Sequence, residues 1–106
     1  MGFAYAAFDE MAWVAGGHPL ERKKPGDAGL TLLRFEPGFS DPHWCGRSHV
    51  LFVTQGTLSI ELEDREVLLR AGQALWLEPG TRHRAAVKGP EAVVVLAASD
   101  LRRTGA

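Results

Sequence analysis

Short runs of β-forming residues, separated by turns built on glycine and proline, recur along most of this chain at a spacing of roughly ten residues. The run 57–63 shows the clearest period of two, because Leu58, Ile60 and Leu62 alternate with polar side chains. No helical period separates successive runs. The pattern predicts an all-β fold, an antiparallel sandwich or barrel of about eight short strands, and argues against an α/β fold. We expect strands at residues 30–35, 50–54, 57–63, 66–70, 73–77, 83–87 and 92–98.

The length of 106 residues is suited to one domain with one hydrophobic core. We predict a single domain over residues 1–106, with a core at about 13–98, an N-terminal lead-in at 1–12 and a short tail at 99–106. The lead-in has no clean period and is interpreted either as a short helix or as an irregular strand. The basic run 20–24 is interpreted as a solvated edge that discourages strand addition.

Charge and hydropathy exclude several classes of function. The net charge of -1 and the pI of about 6.4 provide no basic field for nucleic acid or an anionic membrane surface. The apolar runs are far shorter than a bilayer span, and the N-terminal segment lacks the basic start of a secretion signal. The single cysteine, Cys45, excludes an intrachain disulfide. Together these features predict a cytoplasmic protein whose partner is a small molecule.

Three of the four histidines and the one cysteine fall in two segments that border predicted strands, DPHWCGRSHVLFVTQG and GQALWLEPGTRH. His43, Cys45 and His49 lie in the first segment, and His83 ends the second. Imidazole nitrogen and thiolate sulfur are ligands of transition metals, so the two segments predict a metal site. Divalent zinc, iron, nickel or copper fits these donors, whereas magnesium and calcium prefer oxygen.

The first segment resembles the first motif of the cupin superfamily, in particular of small single-domain cupins of the conserved-barrel type. That motif runs glycine, about five residues, His-x-His, three or four residues, glutamate, about six residues and glycine. Here Gly38 opens the motif one residue short of the usual gap, and Gly56 closes it. His43 and Cys45 stand at the His-x-His positions, and His49 stands at the glutamate position.

The second segment resembles the second cupin motif, which runs glycine, Pro-x-Gly, histidine and, further on, asparagine. Gly72, Gly80 and His83 match that motif in register. Pro79 is displaced by one position, and Val87 stands where the asparagine is expected.

The resemblance covers about residues 30–98 and implies a jelly-roll barrel of two packed sheets, the double-stranded β-helix of cupins. It also implies a homodimer, to which the strand 92–98 and the N-terminal aromatic residues would contribute. Finally, it implies a metal held inside the barrel by the four motif positions, which in this chain are His43, Cys45, His49 and His83.

The geometry of a strand leaves two arrangements of these donors open. His43 and Cys45 project to the same side, because residues two apart on a strand share a face. His83 must arrive from another strand by long-range pairing. If all four donors bind, the ion is closed off and structural; if Cys45 stands back, a three-histidine centre keeps one position open for water or substrate.

Four side chains are predicted to line the pocket: Arg34, Trp44, Phe52 and Trp76. An arginine that projects into the barrel would pair with a substrate carboxylate. The tryptophans either frame the pocket mouth or pack in the core or in a dimer interface. His18 matches neither motif and is interpreted as a surface turn residue.

Three functions compete at this point. The first is a small metal-dependent cupin enzyme that acts on a small polar organic molecule. The second is a ligand-binding or sensor cupin without turnover, with a closed metal site or none. The third is a structural role in which the histidines are buried and hydrogen-bonded. Catalytic residues are not assigned, because the sequence places no second carboxylate near the donors.

Overall fold

The computed structural model describes residues 3–27 and 29–99, so the predicted tail from residue 100 onward and the first two residues of the lead-in lie outside the described residues. A short 3-10 helix, Phe8–Glu10, lies in the lead-in. Nine strands follow within the described residues: β1 Val14–Ala15, β2 Glu21–Pro25, β3 Leu30–Phe35, β4 His49–Gln55, β5 Thr57–Leu62, β6 Glu66–Arg70, β7 Ala74–Leu77, β8 His83–Ala86 and β9 Val93–Ser99. The described part of the chain contains no helix that is long and apolar enough to cross a bilayer.

The strands form two antiparallel sheets, as the all-β prediction requires. The larger sheet has the order β1-β2-β3-β9-β4-β7, and the smaller has the order β6-β5-β8. The order does not follow the chain, because β9 inserts between β3 and β4. Two packed antiparallel sheets with such long-range pairing are the jelly-roll architecture that the sequence predicts.

The core lies between the sheets and follows from the alternation along each strand. On β5, Leu58 and Ile60 are buried, and on β9 Val93, Val95 and Ala97 are buried. These positions repeat every second residue, so one face of each strand points to the opposite sheet. Burial of these apolar side chains stabilises the fold by roughly 1.5–3 kcal/mol for each fully buried Val, Leu or Ile side chain.

A single glycine, Gly56, takes the chain from the larger sheet to the smaller one. It lies between β4 and β5 and has a φ of +81°. A Cβ at this position would lie 2.6 Å from the carbonyl oxygen of Ala92. Because both the left-handed φ and the close approach exclude a side chain, the closing glycine of the first motif fixes the crossover between the sheets.

The segment 39–45 runs beside β8 and extends the smaller sheet irregularly. Isolated bridges join Ser40 to Ala86 and Cys45 to His83. Regular pairing from Ser40 would bring residue 43, not residue 45, opposite His83, so the segment contains a bulge of two extra residues. The bulge decides which side chains of the first motif face β8.

The predicted strands are confirmed, most of them to within one or two residues at each end. The basic run 20–24, by contrast, is not simply the solvated edge that its composition predicts. Most of it forms β2, which pairs with β1 and β3. Its charged residues therefore alternate between the two faces of a sheet and do not all face solvent. One of them, Lys23, faces the cavity described next.

Candidate functional site

A cavity of about 670 Å³ opens between the two sheets. Much of its wall is apolar and comes from inward-facing strand residues: Leu33, Phe35, Leu51, Leu58, Ile60 and Val95. The charged residues, the histidines and the cysteine on its wall are Glu21, Lys23, Asp41, His43, Cys45, Arg47, His49 and His83. A cavity that combines apolar walls with convergent polar groups is suited to a small molecule.

Three potential metal ligands converge in this cavity. One donor atom from each of Cys45, His49 and His83 lies within 4.8 Å of the others. The imidazole rings of His49 and His83 are 4.9 Å apart between centroids and nearly perpendicular, at 87°. The two histidine segments, far apart along the chain, therefore meet at one place, as the sequence predicts.

A backbone carbonyl fixes the orientation of His83, which is buried at 4% exposure. Its Nδ1 lies 2.8 Å from the carbonyl oxygen of Thr81. Because a carbonyl oxygen only accepts, Nδ1 carries a proton, and in the neutral imidazole Nε2 then keeps its lone pair. A histidine that binds a metal through Nε2 needs this tautomer, and such outer contacts accompany metal-ligating histidines in general.

A hydroxyl group holds His49 in a similar way. Its Nδ1 lies 2.7 Å from Ser99 Oγ, on the neighbouring strand β9. Its Nε2 faces Cys45 Sγ at 3.6 Å. Both histidines thus have Nδ1 in contact with an outer oxygen, which leaves Nε2 for the cluster.

The main chain positions Cys45 against His83. Cys45 N–H donates to the His83 carbonyl at 2.8 Å, and His83 N–H donates to the Cys45 carbonyl at 2.9 Å. The Arg47 backbone N–H lies 3.5 Å from Cys45 Sγ. A backbone N–H close to the sulfur stabilises the negative charge of a thiolate, and the thiolate is the form of cysteine that binds a metal.

Asp41 holds the bulge that sets this pairing. Its backbone N–H donates to the Ala85 carbonyl at 2.9 Å. Its Oδ2 accepts the Ala85 N–H at 2.8 Å. The carboxylate therefore satisfies a β8 donor that the bulge leaves without a backbone partner. Burial raises the pKa of the Asp41 carboxyl above its ordinary value of 3.8, against the lowering by the Ala85 N–H, His83 and His18.

The two remaining histidines differ from the cluster. His43 lines the same cavity but is exposed and is not among the three grouped donors. The bulge explains this, because it brings Cys45 opposite His83 where regular pairing would have brought His43. His18 lies in the turn before β2, where its Nδ1 accepts the Leu20 N–H at 3.0 Å and its ring packs on Phe39.

Of the four predicted pocket residues, only Trp44 lines the cavity. The Arg84 guanidinium lies 4.4 Å from its ring centroid, and that of Arg82 lies 5.3 Å away. The other three predicted pocket residues, Arg34, Phe52 and Trp76, are not on the cavity wall. Each of the three is next in sequence to an inward-facing residue, Phe35, Leu51 or Leu77. Because neighbouring residues on a strand point to opposite faces, the three side chains point to the outer face.

Sequence reasoning missed several polar cavity residues, among them Lys23, Asp41 and Ser99. Alternation from the apolar strand 93–97 places Ser99 on the inner face, so a sequence signal for it existed. No local pattern identifies Asp41, because its role depends on a bulge.

The donor set fits a transition metal. One sulfur and two imidazole nitrogens, with the imidazole tautomer fixed for His83, are suited to zinc, iron, nickel or copper. Three protein donors leave a further coordination position, which a tetrahedral or larger shell offers to a small molecule. This set differs from both arrangements expected above, since it contains Cys45 and leaves His43 outside.

Comparison with known proteins supports the family resemblance seen in the sequence. The family profile of the cupin domain matches residues 31–99 of this chain. A search of curated proteins finds no relative that matches significantly.

Several solved structures have the same fold. KdgF from Halomonas sp. is 26% identical with a TM-score of 0.67, and the match covers 89% of this chain and 92% of that one. A predicted oxalate decarboxylase from Thermotoga maritima is 15% identical with a TM-score of 0.75, over 92% and 99% of the two chains. The polyketide cyclase RemF from Streptomyces resistomycificus is 18% identical with a TM-score of 0.71, over 92% and 80%. The last two likenesses concern the fold alone.

Proposed function

The chain belongs to the cupin family, and we propose that it binds one divalent transition metal through Cys45, His49 and His83 and acts as an enzyme on a small polar organic molecule in the cavity. One observation carries this proposal: the donor atoms of the three residues lie within 4.8 Å of one another on the cavity wall. The hydrogen bond from His83 Nδ1 to the Thr81 carbonyl supports it, because it leaves Nε2 to bind.

A divalent ion at this position would supply a Lewis acid that polarises a substrate oxygen. The chain's own residues supply orientation and exclusion of water. Ser99 and the Thr81 carbonyl hold the two imidazoles in place. The apolar side chains of the cavity remove water from a bound molecule and strengthen its polar contacts.

His43 has a different place in this proposal. Its imidazole lines the cavity and is exposed to solvent. We assign it to the rim, where it would contact a bound molecule or complete the metal shell as the fourth ligand that the sequence predicts. The choice between these roles decides whether the centre is open or closed.

Metal analysis of protein purified without a histidine tag tests the proposal. We expect about one zinc, iron, nickel or copper ion per chain in the wild type, and less than about one tenth of that in His83→Ala. His49→Gln is the second variant, because His83 is buried and its removal affects folding. The matched comparison is His43→Ala, which keeps most of the metal if the three-donor set is correct.

Metal-free wild-type protein that also fails to take up added zinc would contradict the proposal. A metal-loaded protein that binds small polar molecules but converts none of them to product would favour a ligand-binding or sensor role over an enzyme.

We further propose a homodimer through the outer face of the larger sheet. Val50, Phe52 and Trp76 are exposed at 38%, 39% and 62% on adjacent strands of that face. A contiguous apolar area of this kind is typical of a protein interface. Light scattering should give twice the 11.5 kDa chain mass for wild type and one chain mass for Trp76→Glu. A wild-type monomer at high concentration would contradict the dimer.

Cytoplasmic location also stays a prediction.

A further inference from the structure

We infer that the β2 wall of the cavity, through Lys23, binds the carboxylate of a small organic acid whose remaining part is apolar. Lys23 is half-buried and lines the cavity. Among the residues that the structure describes, none forms an ion pair or hydrogen bond with its ammonium group. A half-buried cation on a cavity wall, without a partner of its own among the described residues, is suited to an anionic ligand group.

Strand register explains why Lys23 points inward. It lies directly opposite Leu33 on β3, and Leu33 packs against the hydrophobic core. Residues directly opposite each other in an antiparallel pair share a face. Leu33 in turn lies opposite Val95, which is fully buried. The Lys23 side chain therefore leaves β2 on the inner side of the sheet.

The neighbouring cations on the same strand are already engaged elsewhere. Lys24 Nζ donates to the Phe8 carbonyl at 2.8 Å and lies 4.8 Å from the Trp13 ring centroid. Arg22 is exposed and donates to two backbone carbonyls of its own turn and strand. The two cations that flank Lys23 thus serve the outer face and the turn.

The acidic groups on the cavity wall have other partners. Glu21 Oε2 accepts the Gly17 N–H at 3.3 Å, which directs this carboxylate to the turn before β2. Asp41 accepts the Ala85 N–H at 2.8 Å beside β8. Arg47, which is exposed, is the second lysine or arginine that lines the cavity.

The apolar wall indicates the remainder of the ligand. Leu33 and Phe35 continue from Lys23 along the larger sheet, and Leu58 and Ile60 face them from β5. A volume of about 670 Å³ is within the range of sites for small organic ligands. An aromatic or branched carboxylate would place its apolar body against these side chains and its anionic end at Lys23.

The test uses 1-naphthoate as the probe and 1-naphthalenemethanol as its neutral counterpart, with ligand-observed NMR titration as the measurement. The protein is first treated with EDTA, so the result does not depend on the metal centre proposed above. We expect Lys23→Met to weaken naphthoate binding about tenfold or more, the loss expected for one charge-assisted hydrogen bond. The alcohol should bind wild type and Lys23→Met equally, within about twofold.

Arg22→Gln is the matched control, because it removes one positive charge from the same strand on the outer side. It should leave naphthoate binding within about twofold of wild type. Lys23→Arg should keep most of the affinity, because it keeps the charge.

Two results would overturn the inference: wild type that does not bind naphthoate, or Lys23→Met that binds it as wild type does. The second result together with a loss in His83→Ala would place the carboxylate at the histidines. Failure of metal binding in the earlier experiment would leave this inference intact.

Discussion

The two walls of the cavity differ in how their polar side chains are held. On the wall formed by β4, β8 and the bulged segment 39–45, the side chains of His49 and His83 each contact an outer oxygen. On the β2 wall, Lys23 has no hydrogen-bond or ion-pair partner among the described residues, and its ammonium group lies at the end of a long flexible side chain. A fixed wall is suited to an ion with defined coordination geometry, and an adaptable wall is suited to the anionic end of variable ligands.

The strongest expected effect separates the two walls by their metal affinity. His49→Ala should weaken zinc binding at least about 100-fold, because two donors remain of three. Lys23→Met should change it by less than about twofold, since its ammonium group is no ligand. Competition titration with a zinc chelator measures both. Equal losses in the two variants would show that the walls do not act separately.

A second experiment distinguishes the sulfur from the nitrogens on the fixed wall. Cobalt-loaded wild type should show a sulfur-to-cobalt charge-transfer band in the near ultraviolet, and Cys45→Ser should lose it. We expect the serine variant to bind zinc about tenfold or more weakly, because a hydroxyl is a poorer ligand than a thiolate. A cobalt spectrum that is the same in both proteins would exclude Cys45 as a ligand.

Removal of an outer contact should have a smaller effect. Ser99→Ala removes the oxygen that lies 2.7 Å from His49 Nδ1, and we expect zinc affinity to fall about tenfold, as for outer-shell contacts in general. Thr54→Ala is the matched control, because Thr54 Oγ1 bonds the Val94 carbonyl on the outer face of the same two strands. Zinc titration should leave this control unchanged, and a similar loss in both variants would point to general destabilisation.

The effect expected at the bulge is on stability and not on metal affinity. Asp41→Ala should lower the free energy of unfolding by about 1–3 kcal/mol, because it leaves the Ala85 N–H without an acceptor. Asp41→Asn keeps an acceptor oxygen and should cost less in urea denaturation. Equal losses would show that the charge, and not the hydrogen bond, is required.

The raised pKa of Asp41 gives that comparison a pH dependence. Because the folded-state pKa lies above 3.8, the folded protein binds this proton more tightly than the unfolded chain does. Wild type should therefore gain stability relative to Asp41→Asn as pH falls toward that pKa. A difference that is constant between pH 7 and pH 4 would contradict the burial of this carboxyl.

Much of the fold could be predicted from sequence because it depends on local patterns. The period of two at Leu58, Ile60 and Leu62 and the turn glycine at Gly56 are both visible in the sequence. The meeting of His83 with the first motif was predicted by resemblance. Which residues of that motif meet it depends on a two-residue bulge, which no local pattern determines.

The β2 wall was harder to predict. The run 20–24 contains three basic residues in five positions and has the composition of a solvated edge. Only its pairing with β3 places Lys23 and Leu33 on the same inner face. Outer-face residues such as Phe52 and Trp76 were predicted to line the pocket because they are close in sequence to a donor. Closeness in sequence does not specify the face of the strand on which a side chain lies.

X-ray absorption spectroscopy of zinc-loaded protein tests the metal centre most directly, because it counts the ligand atoms. We expect one sulfur at about 2.3 Å and at least two imidazole nitrogens at about 2.0–2.1 Å. A shell of nitrogen and oxygen without sulfur, or a shell that is unchanged in His83→Ala, would contradict binding by Cys45, His49 and His83.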